Sequence, residues 1–526
     1  MTWDLLVRRG RIVDGTGNPW FQADVAVADG RIAAIRPHLD GDARETLAAD
    51  GLVVCPGFID AHTHSDFAFF VDPAAQSKVR QGVTTEIIGN CGMSGAPYVG
   101  GSRERGLPST YGFHPSWESF PEYLDALATL RKTVHLAPLV GHGTLRSAVV
   151  GLENRPPTPR EQATMEAWLA EALAAGAVGM STGLYFAPGN FATHEELVAL
   201  TAVAGRAGAV MTSHIRDEGS RSVGFLPAVE ELIRIGRDAR APVHISHIKS
   251  FGPDTWHTSE AVLTLIERAR REGIDVTCDQ YPYDTTGGGL AADTLPYDFL
   301  SGKSPAQVSE ALRQPASRDA VRAVVAANVT KRGGPGVLTI ATYPADPELE
   351  GRTLQEICDR WGVPPAEAVM EMLSQSAEAK WNCRSLCQED VDRFLRYPAT
   401  MVGSDGSSLS TEGPLSGGNP HPRNFGAFPR VLNEFVRQRG VLSLEEAVRK
   451  MTSLPAQRFG LTDRGLLTAG KAADLLLFDP EAVRDATFAR PKQYPEGIPH
   501  VMVGGEWVIK HGAFTGSLPG VLARKP

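Results

Sequence analysis

The sequence predicts an α/β protein: a parallel barrel of about eight strand–helix units, flanked by a small β domain built from both ends of the chain. Three observations carry this. Apolar strand-like runs alternate with amphipathic helical stretches through the middle of the chain, and such alternation implies a parallel sheet with crossover helices. Both ends read as short strands joined by Gly-containing turns. The competing layout, a doubly wound open sheet, finds no GxGxxG after a first strand to support it.

The elements follow in chain order. "WDLLVRRGRIVDGTG" and "ADVAVADGRIAAIRP" open the chain as strands, and "AADLLLFDP" and "HVMVGGEWVIKHGAFTG" close it. Neither end alone makes a closed sheet, so residues 1–55 and 465–526 are assigned to one composite β domain. Residues 56–464 are assigned to the barrel. Its strand-like runs include "TVHLAPLVGHG", "AVGMSTGL", "AVMTSHIRDEG", "PVHISHIKS" and "DVTCDQYPY". "PREQATMEAWLAEALAAG" and "GFLPAVEELIRIGRDAR" are helical stretches between them. The rhythm breaks at residues 286–341, which read as an insertion able to cover the barrel mouth.

Bulk properties narrow the function. The chain has 526 residues, 42% hydrophobic, with a formal charge of −9. Its pI is about 5.9 and its mean hydropathy −0.15. That balance argues against a nucleic-acid partner, which usually requires a basic face. A small anionic substrate remains compatible with it, since one local Lys or Arg suffices to hold a carboxylate. Six cysteines in so long a chain do not make a disulfide framework and fit a reducing compartment. The opening stretch lacks a signal-peptide core, and no apolar run approaches the roughly 20 residues needed to span a bilayer. A cytoplasmic protein without a membrane partner is expected; a homo-oligomer is left open.

In a parallel barrel, catalytic groups sit at the carboxyl ends of strands. The polar residues there are His62 and His64 in "DAHTHSD", Cys91 in "EIIGNCGMSG", His214 in "VMTSHIRDEG", His247 in "VHISHIKS" and Asp405 in "TMVGSDGSS". A His-x-His pair on one strand puts both imidazoles on the same face. Imidazoles, a thiolate and a carboxylate form a donor set suited to zinc. His244 competes with His247 for the ligand role but, three residues earlier, points to the opposite face, toward the barrel wall, or lies too early in the strand to reach the mouth. His142 could sit behind the site, touch substrate or be structural. Cys55, Cys278, Cys358, Cys383 and Cys387 are read as small buried hydrophobes. Cys383 and Cys387 are four apart, yet their charged helical surroundings hold no nearby histidine, which argues against a second metal site there.

"PGFIDAHTHSD", "GVTTEIIGNCG", "SHIRDEG", "ISHIKS", "DQYPYD", "MVGSDG" and "HPRNFGAF", in this order along nearly the whole chain, resemble the N-acyl-D-amino-acid deacylases (D-aminoacylases) of the amidohydrolase superfamily. The resemblance implies a distorted (β/α)8 barrel, a small β-sandwich from both termini and zinc-dependent hydrolysis of the amide of a small N-acyl amino acid. It places Cys91, His214 and His247 at a tight Zn2+ site, and His62, His64 and Asp405 at a weaker, sometimes empty one. Asp405 is also the proton shuttle. Lys249 and Tyr281 match positions that grip the substrate carboxylate, and Arg384 or a neighbour adds to that grip. Tyr185, in "STGLYFAPG", is expected to touch substrate and to help polarise the acyl carbonyl, beside Phe186; the side-chain pocket is unassigned.

Two alternatives are weighed. A cyclic amidase or lactonase of the hydantoinase type typically carries a carboxylated lysine on the fourth strand; "VHLAPLVGHG" ends without a lysine, and Cys91 points the other way. A non-catalytic scaffold need not keep all six candidate ligands.

Overall fold

Eight apolar runs form parallel strands whose spatial order follows the chain: β1 (Phe58–Asp60), β2 (Val83–Ile88), β3 (His135–Gly141), β4 (Gly179–Gly183), β5 (Val210–His214), β6 (Val243–Ile245), β7 (Val276–Gln280) and β8 (Thr400–Val402). This is a computed structural model, and it describes residues 2–104 and 112–524. The first and last strands meet just past their ends. Asp405 N–H donates to His62 O at 2.9 Å and His64 N–H to Gly406 O at 2.8 Å. The ring therefore closes at the residues expected to hold a metal.

Period-two patterning sorts the barrel's apolar side chains. Ile87, Leu139 and Val210 share one cluster, into which Ala456 of the helix Ser453–Arg458 and Phe459 just after it pack. Their sequence neighbours Ile88, Val140 and Met211 join the large cluster that includes Leu197 and Leu200 of the helix His194–Arg206. Successive strand residues thus face the barrel interior and the helical layer in turn. The helices form where the periodicity places them, at Pro159–Ala174 and Phe225–Ala239. Thr158 and Glu161 cap the first with a reciprocal capping box.

Both termini contribute to one nine-stranded sheet. The strand Trp3–Ile12 pairs with Phe21–Ala28, Ala43–Ala48 and Val53–Pro56. Val53–Pro56 in turn pairs antiparallel with Leu475–Phe478, which joins the C-terminal strands to the N-terminal ones.

The excursion between β7 and β8 runs on well past residue 341. The strand Leu338–Thr342 pairs with Lys380–Cys383, which pairs with Thr286–Gly289. The sheet needs its third strand from beyond the helices Leu354–Trp361 and Pro365–Gln375. Phe251, after β6, bridges Leu386, so the exit of the excursion lies against a loop of the barrel mouth.

Candidate metal centre

The "GNCG" turn after β2 is shaped to bring Cys91 inward. Gly89 and Gly92 have φ of +79° and +73°, and a Cβ on them would lie 2.2 Å from Leu139 O and 2.7 Å from Gly183 N. Only glycine allows that approach to β3 and β4. Cys91 itself has φ +53°, His247 +35° and Asp405 +51°. Three side-chain-bearing residues held in the left-handed region, at about 1–2 kcal/mol each, mark a site whose surroundings dictate the backbone.

The side chains converge on the Cys91 sulfur. Sγ lies 3.3 Å from His62 Nε2, 3.2 Å from His247 Nε2 and 3.6 Å from His214 Nδ1. Asp405 Oδ1 lies 3.1 Å from His64 Nε2 and 3.6 Å from His62 Nε2. Donor atoms of His62, Cys91, His247 and Asp405 all lie within 4.8 Å of one another. All six strand-end candidates therefore meet, and they meet as one continuous cluster: Cys91 reaches into both of the triads the resemblance proposes. Tetrahedral zinc, with Zn–S near 2.3 Å and Zn–N near 2.05 Å, separates sulfur from nitrogen by about 3.6 Å. The observed spacings match.

Charges point the same way. With the imidazoles neutral, as metal ligands must be, four anionic groups, Cys91, Asp405, Glu218 and Asp279, face two cations, Lys249 and Arg423. The excess of two negative charges corresponds to one divalent ion. Burial alone would push the Cys91 thiol up, but His247 and His62 hold it well below the ordinary thiol value. Burial would also lower the imidazoles. Asp279 and Cys91 instead raise His62 well above its usual range, and Glu218 with Cys91 raises His214 to about 9. His64 is likewise raised to about 9, against burial, by Asp405 and Cys91. For Asp405, burial pushes up but Arg423 and His247 win, and the carboxyl stays well below its usual range.

The far sides of His62, His214 and His247 are held by buried carboxylates. Glu218, in "SHIRDEG", lies 3.3 Å from His214 Nε2 and 3.0 Å from His247 Nδ1, and accepts from Lys249 Nζ at 2.6 Å. Asp279, at the end of β7, lies 3.4 Å from His62 Nδ1 and accepts the His247 backbone N–H at 3.0 Å. Such carboxylate–histidine pairs fix which ring nitrogen faces a metal. His244 lies within this layer, 2.8 Å from Asp279 Oδ2. The sequence reading passed over Glu218 and Asp279. The strand-end rule that selected the ligands would also have selected Asp279.

Other candidates land elsewhere. Lys249 is buried, its Nζ 2.8 Å from His247 Nδ1 and 5.7 Å from the Tyr281 ring centre. Arg423 stands 5.0 Å from the same ring and 2.8 Å from Asp405 Oδ2. Arg384 is exposed and paired with Asp284, so the arginine at the site is Arg423, from the "HPRNFGAF" segment. The Tyr185 ring packs 5.2 Å from that of His214, but its hydroxyl is engaged by Arg332 and, at 3.0 Å, by Asp293. The excursion thus takes the hydroxyl that was expected to help polarise the acyl carbonyl. His142 is drawn away from the centre to Glu196 at 2.9 Å.

Comparison with known proteins identifies the family. A model of the amidohydrolase family matches residues 45–509. D-aminoacylase of Alcaligenes xylosoxydans xylosoxydans is 39% identical over 526 residues, covering 99% of this chain and 98% of that protein. The crystal structure of N-acyl-D-glutamate deacylase from Bordetella bronchiseptica, complexed with zinc and a phosphonate mimic of the tetrahedral intermediate, superposes with a TM-score of 0.85 at 35% identity over 100% of both chains. L-hydantoinase from Arthrobacter aurescens, at 18% identity and a TM-score of 0.58 over 99% of this chain and 100% of that one, shares the fold alone. With its thiolate-centred donor cluster and full-length likeness to these deacylases, the chain belongs to the N-acyl-D-amino-acid deacylase branch of the amidohydrolase family.

Proposed function

We infer that this protein is a zinc-dependent hydrolase that cleaves the amide bond of N-acyl-D-amino acids, giving a carboxylate and a free D-amino acid. The observation that carries the reading is the buried Cys91 sulfur within 3.6 Å of three imidazoles, with Asp405 across from it. Cys91, His214 and His247 would hold the tighter zinc, with His62, His64 and Asp405 on the more loosely held side. When bound, zinc supplies a Lewis acid for the acyl carbonyl and lowers the pKa of a water toward about 7.

The chain's own groups do the rest. Asp405 takes the proton of the attacking water through the oxygen nearest His64. Its low proton affinity, set by Arg423, then favours handing that proton to the departing amine. Lys249 and Arg423 flank the Tyr281 ring, and this doubly cationic corner suits the α-carboxylate of the substrate. Glu218 keeps Lys249 and both later imidazoles in place.

The test is a screen of N-acyl-D-amino acids, their L enantiomers and hydantoins, with zinc measured on the same sample. Hydrolysis of the D series by zinc-loaded protein is expected. Preference for L substrates or hydantoins would overturn the assignment.

A further inference from the structure

A second set of metal-ligating side chains lies on the surface, away from the barrel centre. Cys387 precedes the helix Gln388–Arg396 and is the one cysteine of the six that is not buried. The sequence around it holds no histidine, but the fold supplies one from 130 residues away: His257 Nδ1 lies 3.8 Å from Cys387 Sγ. The same nitrogen lies 3.2 Å from Glu389 Oε2. The three donor atoms lie within 4.8 Å of one another. Around a tetrahedral zinc, sulfur and nitrogen sit about 3.6 Å apart and nitrogen and oxygen about 3.4 Å apart. Both observed spacings are within a few tenths of an ångström of these.

The two segments are held together independently of these side chains. Gly252 N–H and Trp256 Nε1–H each donate to Ser385 O at 3.0 Å. His257 N–H donates to Asp390 Oδ2 at 2.7 Å, and Ser259 Oγ is bonded to the other oxygen of that carboxylate. The backbone therefore presents the imidazole, thiol and carboxylate to one another without folding of a disordered segment, which removes much of the ordering cost of binding.

We propose that His257, Cys387 and Glu389 form a surface site for a borderline divalent cation such as zinc, with water completing the shell. Binding displaces the Cys387 thiol proton to solvent, and the thiolate, a neutral imidazole nitrogen and one carboxylate oxygen become the ligands. The site fastens two functional segments. His257 ends the loop that begins with His247 and Lys249, and Cys387 lies four residues beyond the last strand of the excursion, Lys380–Cys383. A cation there clamps the exit of the excursion to the loop that carries the expected substrate-binding lysine.

The experiment uses the enzyme already loaded with its catalytic zinc. After equilibrium dialysis against micromolar zinc chloride, wild type should retain one more zinc per chain than either Cys387→Ser or His257→Ala. Both variants should keep wild-type activity. A second measurement needs no substitution: Cys387 should be the fast-reacting thiol of the native protein towards an aromatic disulfide, and zinc should slow that reaction at least about tenfold. Equal zinc content in all three proteins, or a thiol reaction unaffected by zinc, would overturn the proposal.

Discussion

The two sides of the metal centre are built differently. On the side of Cys91, His214 and His247, the far face of each imidazole meets a buried carboxylate, and Lys249 locks that carboxylate in turn. On the side of His64 and Asp405, the His64 side chain is 26% exposed and Asp405 is held by His64, His62 and Arg423. The first side is a holder with its donors fixed before any ligand arrives. The second is open to whatever enters the barrel mouth, and there a proton can be taken up and released. Fixed donors favour metal affinity, whereas a carboxylate beside a partly exposed histidine favours turnover. Substitutions on the two sides should therefore separate zinc content from rate.

The largest effect is expected on the holder side. Cys91→Ala removes the group that three imidazoles share, so the tightly held zinc and nearly all activity should go together, a loss beyond about a thousandfold. Zinc analysis and kcat/KM on the same sample check this; a variant that stays active would refute the centre. Asp405→Asn, on the open side, should behave differently. Zinc at the holder side should stay, while kcat falls by about 10²- to 10⁴-fold with the proton shuttle gone. If zinc and rate fall together in both variants, the distinction between the sides fails.

Glu218→Gln probes the holder more gently. The amide retains size but loses the charge that orients His214 and His247, and zinc affinity should drop about 10- to 100-fold. Excess zinc should restore most of the rate, which it cannot do for Asp405→Asn. The pH dependence of zinc binding samples both sides at once. In the metal-free centre the neighbouring carboxylates and Cys91 outweigh burial and raise His64 and His214 from 6.5 to about 9. Below that pH zinc must displace their protons, so affinity should rise as pH increases towards about 9 and then level off. The ion pairs made by the protonated rings act in the opposite sense on the metal-free fold. Their stabilisation is full below pH 6.5 and is lost as pH rises through about 9. Competition titrations with a chelator at stepped pH check the first statement, and an affinity flat from pH 6 to 9 would contradict it.

The holder and the open side were also unequally legible in the sequence. All six convergent residues could be found, because each ends a strand-like run and barrel topology aligns strand ends. Glu218 was missed because it ends no strand-like run, although His214 stands four residues before it; Asp279 was missed because its partner His62 lies 217 residues away. Arg423 lay inside a segment already noted, but nothing local says that its guanidinium meets Asp405. The excursion showed only its first part, since its sheet needs the strand Lys380–Cys383, separated from the other two by helices that resemble any surface helix. His257 and Cys387 could not be paired at all without the fold.

The smallest effect concerns the rim where the His214 side meets the excursion. Were the Tyr185 hydroxyl aimed at the reacting carbonyl, its removal would cost about 10²- to 10³-fold in kcat, as loss of an oxyanion donor does. The structure commits that hydroxyl to Arg332 and Asp293, in a buried cluster that also ties down Trp381 Nε1 at 2.9 Å. Tyr185→Phe should therefore change kcat by less than about threefold, about 0.6 kcal/mol of barrel-mouth adjustment. The cost should appear in stability instead, at about 1–3 kcal/mol, because Arg332 and Asp293 each lose a buried partner. Denaturant titration alongside steady-state rates separates the outcomes. A large fall in kcat with unchanged stability would return the hydroxyl to the chemistry and place electrophilic help on Tyr185.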